Sequence, residues 1–435
     1  MDLLALGLLL AVFAAVILRQ ASGRGPPIWG SFLAGALMAP LLGVVSFGQA
    51  GNAIQGALPI LEFLIGMFVF TTALDRSGAL EHLAGWFLGR AGRPEQIPFW
   101  IFLCFGTLSM ILVNDALVLI AVPIMVSVGR RLNTDPRPLL LTVALAVTVG
   151  SVATPFGNPQ NLLIALQSGL TAPLSVFLRY LLLPTVLGLI AGGLLLQRLY
   201  RPHPALAAPG QAADPFPPVP LFPRGSWANR IGRSPVLILF PATLAIMVGS
   251  DLASGLFGVG TIPLPWIALV GALVLLSLSS GRLDLVRGID VTILLLFVGL
   301  FIVVVVALHG DAFPSSGISL PVPSSSDPGS TILELVGTSL VGSQVVSNVP
   351  WVALQIPILA RHGFGPGTPI AWMALAAGST LAGNLTLLGA ASNLLLVARA
   401  ERHGVRIGLA DFVRVGVPMT AITVTITVLC LLAHL

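Results

Sequence analysis

The sequence predicts an all-α polytopic membrane protein of two inverted repeats. Each repeat is expected to hold five transmembrane crossings, a re-entrant helical hairpin and a broken helix. Three observations predict this. Hydrophobic residues make up 56% of the 435 positions and charged ones only 9%. Apolar runs of about 20 residues, the length that crosses a hydrocarbon core about 30 Å thick, recur along the chain. Three motifs then return in the same order at a nearly constant spacing. "GMFV" at Gly66 answers "GLFI" at Gly299, an offset of 233. "NDALVLIAVPI" from Asn114 answers "NVPWVALQIPI" from Asn348 at 234, and "TPFGNPQNLL" from Thr154 answers "TLLGAASNLL" from Thr386 at 232.

The first repeat, 1–199, opens with spans near 2–18, 28–47 and 56–74. The leading stretch has no basic start, and Arg19 follows its apolar run, so it reads as a span and not a signal peptide. An amphipathic stretch, 79–90, comes next. The run 97–129 is interrupted at Asn114–Asp115. As one helix it would extend about 50 Å, too long for one crossing and too short for two with a turn. Arg90, Arg93, Arg130 and Arg131 flank it, which places both its ends on one face and makes it a hairpin. A broken span, 138–169, and a span near 175–199 complete the half. The Pro- and Ala-rich stretch 200–233 reads as a linker. The second repeat, 234–435, has spans near 234–250, 262–281 and 290–308, then a hairpin, 329–360, with its tip at Ser347–Asn348. A broken span, 369–400, and a last span, 411–433, end the chain.

Five crossings per half invert the second half against the first. Under this topology 19 of the 21 arginines fall on one side, and only Arg179 and Arg361 on the other. The positive-inside rule makes the rich side cytoplasmic. The expected placement is multi-pass in the cell inner membrane, with both termini outside and the linker cytoplasmic. All the basic charge is arginine in loops between spans, a pattern that does not suggest nucleic acid.

Inverted repeats with broken helices put a solute site near mid-membrane, where half-helix ends and unwound backbone face a cavity. Four polar islands are expected to converge there: two hairpin tips and two helix breaks. The candidate binding residues are Asn114, Thr154, Gly157, Asn158 and Asn161 in the first half. In the second they are Ser347, Asn348, Thr386, Gly389, Ser392 and Asn393. Asparagine offers a donor and an acceptor, and half-helix N-termini offer free N–H groups. Pro155, Gly157 and Pro159 unwind the first span.

Ionisable residues at depth are costly and mark relays or ion sites. Asp115, at the first tip, is the leading coupling residue, with Glu62 in the third span beside it as a candidate. Glu334 lies partway along the second hairpin, and Asp75 and Asp251 read as ordinary residues at span ends. None of the six histidines falls in an island, and Cys104 and Cys430 read as core residues, so no metal site is expected. No phosphate loop or nucleophile elbow is present, so neither a cofactor nor an enzyme activity is expected.

At the islands, "VNDALVLIAVPI", "GSVATPFGNPQNLLIALQSG", "SNVPWVALQIPIL" and "AGNLTLLGAASNLLL" resemble motifs of the ion transporter superfamily. The nearest branch holds bacterial arsenite effluxers, plant silicon effluxers and related bacterial anion permeases. The resemblance covers the chain except the linker and 309–328. It implies a homodimer with a scaffold of outer spans, and a transport domain of hairpins and broken helices that moves as an elevator. The sodium-coupled dicarboxylate members carry Ser-Asn-Thr at both tips. Here the tips read Val113-Asn114-Asp115 and Ser347-Asn348-Val349.

The expected activity is proton-coupled efflux of a small oxygen-rich solute such as arsenite or silicic acid. Both are largely neutral hydroxo species, and no arginine falls in an island to clamp an anion. Sodium-coupled import of an anion or carboxylate, and cation/proton antiport at Asp115, are the alternatives. The partners expected are this solute or anion and the lipid bilayer.

Overall fold

The computed structural model describes residues 2–22, 25–132, 134–200, 234–258, 260, 262–308, 323, 327–387 and 389–435. The linker stretch 201–233 and most of the 309–328 loop lie outside the described residues. Among the described residues the chain is helical and has no strand.

Helices α1 (Asp2–Ser22), α2 (Ile28–Leu41) and α3 (Phe47–Ser77) open the fold. The third starts nine residues before the expected span. Ser46 and Gln49 form a capping box there, a hydrogen-bonding signal that hydropathy does not register. The amphipathic stretch is α4 (Ala79–Leu88). The first interrupted run is α5 (Ile97–Ser109) and α6 (Asn114–Arg131), joined by the turn 110–113. The first broken span is α7 (Arg137–Gly150), a 3₁₀ turn (Ser151–Ala153) and α8 (Pro159–Gln167). Helix α9 (Pro173–Leu199) follows.

Beyond the linker come α10 (Val236–Phe257), α11 (Leu264–Leu278), a short α12 (Arg282–Arg287) and α13 (Val291–Leu308). The second interrupted run is α14 (Pro328–Val346) and α15 (Asn348–Arg361), with Ser347 alone between them. The second broken span is α16 (Pro369–Ala382) and α17 (Ala391–Arg402), and α18 (Leu409–Leu432) ends the chain. Among the described residues, five helices (α3, α9, α10, α13 and α18) are long and apolar enough to cross a membrane, and five shorter apolar ones accompany them.

Packing recurs in pairs. Helix α5 packs on α7 and α14 on α16; α2 packs on α13 and α11 on α3; α6 packs on α17 and α15 on α8. Close approaches need small residues, as in membrane bundles generally. A Cβ on Gly150 would lie 1.9 Å from the Gly106 carbonyl oxygen, so glycine alone lets α7 meet α5 there. A Cβ on Gly299 would lie 2.7 Å from the backbone of Leu33, which fixes the α13–α2 contact.

Asp251 is not an ordinary span-end residue. It is buried on α10, and its carboxylate accepts from Leu174 N (3.0 Å), Ser175 N (2.7 Å) and Ser175 Oγ (2.6 Å). It caps α9, whose own preceding residue, Ala172, has no side chain that can. No local sequence signal links positions 77 residues apart.

Candidate functional site

The four islands meet around a cavity of about 50 Å³, room for roughly four water-sized spheres. The first tip gives it Asn114 and Asp115, and the second gives Ser347, Asn348 and Val349. The first break gives Thr148, Asn158, Pro159 and Gln160; the second gives Thr380, Ala390, Ala391 and Ser392. Ile293, Leu296 and Phe297 of α13 form an apolar wall.

Six of the predicted residues therefore line it: Asn114, Asp115, Asn158, Ser347, Asn348 and Ser392. Thr154, Gly157, Asn161, Thr386, Gly389, Asn393 and Glu62 do not. Their positions have physical reasons. A break frees backbone carbonyls where water is scarce, and something must donate to them. Asn161 Nδ2 donates to the carbonyls of Ser151 (3.0 Å) and Thr154 (3.2 Å). Asn393 Nδ2 does the same for Gly383 (2.7 Å) and Thr386 (3.4 Å). These two asparagines hold the breaks together and do not face the cavity.

Thr154 Oγ1 donates to the Met110 carbonyl in the first hairpin turn. The Asn114 N–H donates to the Gly157 carbonyl at 2.9 Å. A Cβ on Gly157 would stand 2.5 Å from the Ser109 carbonyl oxygen, so glycine is required where tip and break interlock. In the second half Thr386 Oγ1 donates to Gln344 Oε1 (2.8 Å), and Gln344 Nε2 donates to the Ala382 carbonyl (2.8 Å). Gly389 sits beside this pair. Glu62 is half-buried on α3.

The lining groups differ in how far they are already engaged. Asn158 Oδ1 caps α8 at Asn161 N (2.8 Å), and its Nδ2 donates to Ser151 Oγ (3.0 Å) and Thr380 Oγ1 (3.3 Å). The Asn114 amide fits with its nitrogen toward the carbonyls of Gly157 and Val147 and its oxygen toward Ser151 Oγ (3.1 Å). By contrast, Asn348 Oδ1 is buried with no hydrogen-bond partner. Asp115 is 7% exposed, and among the described residues no basic side chain lines the cavity with it. Ser347 has φ 72° and ψ 161°, a region that costs an L-residue about 1–3 kcal/mol and clusters at functional sites.

Sequence reasoning missed Thr148, Thr380, Gln160 and the α13 wall. The two threonines stand at the repeat offset of 232, so the fixed-spacing comparison carried a signal for them. It also passed over Asp290, at the α12–α13 junction, whose carboxylate accepts from the N–H of the lining residue Ile293 (3.4 Å).

Comparison with known proteins agrees with this architecture. Residues 13–378 match the family described as CitMHS, citrate transporter. A protein of Mycobacterium tuberculosis named "uncharacterized transporter" is 28% identical over 378 residues, 86% of this chain and 85% of that one. Mouse P protein is 24% identical over 86% of this chain and 54% of its own length. Among solved structures, the YdaH transporter of Alcanivorax borkumensis has a similar fold, with TM-score 0.54 and 18% identity. The match covers 89% of this chain and 87% of that one.

Proposed function

We propose, from the premise that this chain belongs to the citrate transporter family, that it is a proton-coupled secondary transporter of a small oxygen-rich solute. The family and its named relatives make it a multi-pass membrane transporter. The finer reading rests on the state of the cavity's polar groups. Asn348 Oδ1 is a buried acceptor without a partner, and the Asp115 carboxylate lines the cavity with no basic side chain among the described lining residues. Such a site favours a solute that brings O–H donors. Neutral hydroxo acids such as arsenite and silicic acid do so.

Citrate, the substrate in the family's description, is acceptor-rich and anionic near neutral pH. Beside a carboxylate, with no arginine in the lining, it would need protonation or an accompanying cation. That is the second reading, and sodium coupling is a variant of it.

Asp115 is the coupling group in both readings. The paired packing of α2 with α13, α11 with α3, α6 with α17 and α15 with α8 supports two inverted repeats. With the arginine distribution it supports an inner-membrane protein whose termini lie outside. We place the hairpins and breaks in a domain that moves as an elevator against the outer helices, within a homodimer.

The test is uptake of arsenite, silicic acid and citrate into inverted vesicles under an imposed pH gradient. Efflux coupled to protons predicts uptake of a hydroxo acid that collapses with the gradient. Uptake that ignores the gradient rejects proton coupling, and citrate uptake that requires sodium or a divalent cation moves the balance to the second reading. Asp115→Asn is expected to abolish gradient-driven uptake; a fully active variant removes Asp115 from the mechanism.

A further inference from the structure

Asp115 is enclosed, yet a coupling carboxylate must exchange its proton with solvent. The other lining side chains are neutral, so the cavity itself supplies no second titratable group. A candidate is bonded to a residue of its wall: the Asp290 carboxylate accepts from the backbone N–H of Ile293, which lines the cavity. Asp290 precedes α13 by one residue and is half-buried. It lies three and seven positions before Ile293 and Phe297, so it shares the helix face that forms the apolar wall. One carboxylate oxygen, Oδ1, accepts from Thr292 N (2.9 Å) and Ile293 N (3.4 Å) and caps α13. The hydrogen bonds to the Asp290 carboxylate among the described residues all go to Oδ1.

Other charged groups are poorly placed for this role. The helices packed on α6 carry Glu62, Asp75 and Arg76 on α3, Arg137 on α7, and Arg399, Glu401 and Arg402 on α17. None of these lines the cavity. Around Asp290, Arg76 and Arg287 both pair with Asp284 (2.9 and 3.5 Å). The remaining charges with described side chains on helices packed against α13 are Arg19 on α1 and Arg361 on α15, and neither lines the cavity.

The repeat adds an independent argument. At the offsets of 233 and 234, Asp290 answers Ala57 or Gly56, and Asp115 answers Val349. Both acids are absent together from the opposite pair of positions. The acidic pair is therefore a feature that the sequence repeat does not carry at the opposite positions.

We infer that Asp290 is the solvent-side relay through which the proton of Asp115 leaves and returns. The protonated Asp115 gives up its O–H proton, the Asp290 carboxylate takes it, and Asp290 then releases it to bulk solvent; binding runs in reverse. The inference rests on the coupling role proposed for Asp115.

Asp290→Asn separates relay from structure, because asparagine keeps the cap oxygen and loses the titratable group. Purified wild-type and variant protein in proteoliposomes would be tested with labelled arsenite and citrate as probes. Two modes would be compared: accumulation driven by a pH gradient, and solute counterflow without one. A relay predicts that Asp290→Asn slows gradient-driven accumulation by about 100-fold, keeps counterflow, and is rescued by Asp290→Glu. Equal loss of both modes assigns Asp290 a structural role only, and wild-type behaviour in both assigns it none; either overturns the relay. A fully active Asp115→Asn, or a wild-type protein that moves neither probe, instead overturns the transport reading beneath it.

Discussion

The two helix breaks are copies of one motif, and the cavity between them treats them differently. In the first, polar groups are engaged within the protein. Asn158 caps α8, and Asn161 Oδ1 accepts from Thr380 Oγ1 at 3.2 Å across the two halves. Thr380 also receives Asn158 Nδ2 (3.3 Å) and Gln160 Nε2 (3.4 Å). In the second break, Ala390 stands at the cap position with no side-chain bond, and Asn393 Oδ1 is buried without a partner. Thr148, the counterpart of Thr380, bonds back to Ala144 in its own helix (3.0 Å) and does not reach Asn393. The tips differ in the same sense. The first turns through four residues, and the second turns on Ser347 alone in a strained conformation. The shared motif gives the two breaks similar geometry, yet the first is satisfied within the protein and the second leaves a buried acceptor without a partner.

This contrast can be broken in several places. The largest effect is expected at the α5–α7 contact. Gly150→Ala puts a methyl group into the Gly106 backbone and should cost about 3 kcal/mol or more, by overpacking. Its counterpart is already Ala382, so the reverse change there, Ala382→Gly, should cost only about 1 kcal/mol. Thermal unfolding in detergent measures both, and equal losses would show that the two contacts are equally tight.

Next come the asparagines that hold the breaks. Asn161→Ala should destabilise by about 3 kcal/mol and Asn393→Ala by about 1–2 kcal/mol, because Asn161 loses more bonds and strands Thr380 as well. A larger loss at Asn393 would reverse the assignment of the satisfied and the unsatisfied break. Then, Ser347→Gly should stabilise the fold by about 1 kcal/mol by removing the backbone strain, while weakening protection by bound solute in the same melting assay. Stabilisation with unchanged protection would make the strained serine irrelevant to binding.

The smallest contrast sharpens the cross-half link. Thr380→Val should cost about 1–2 kcal/mol and Thr148→Val about 0.5 kcal/mol or less, since only the first abandons buried partners. Thr380→Ser should recover most of the loss. Matching losses at the two threonines would mean that Thr148 also bridges the halves in solution.

Much of this was legible before any coordinates. The interruptions at Asn114 and Thr154 stand out because everything around them is apolar, and the 232–234 offset finds their partners. The interrupted runs could be placed because helix rise and membrane thickness leave few ways to fold 33 residues. The inward direction of each polar side chain was not legible. A break resets the helical phase, so periodicity on one side of Pro155 says nothing about Asn161 on the other. Asp290 and the α13 wall escaped because each lies far in sequence from the islands it joins.

The sequence by itself determined the membrane class, the places where helices stop, and the pairing of those places across the two halves. Hydropathy and local capping chemistry act over neighbouring residues and survive in a string of letters. Only the tertiary structure decided which polar groups serve the protein and which remain free for a solute. Each break releases carbonyls into a setting poor in water, and these claim the nearest donors first. Asn161 and Asn393 answered that demand, and Asp115 and Asn348 were left facing the cavity.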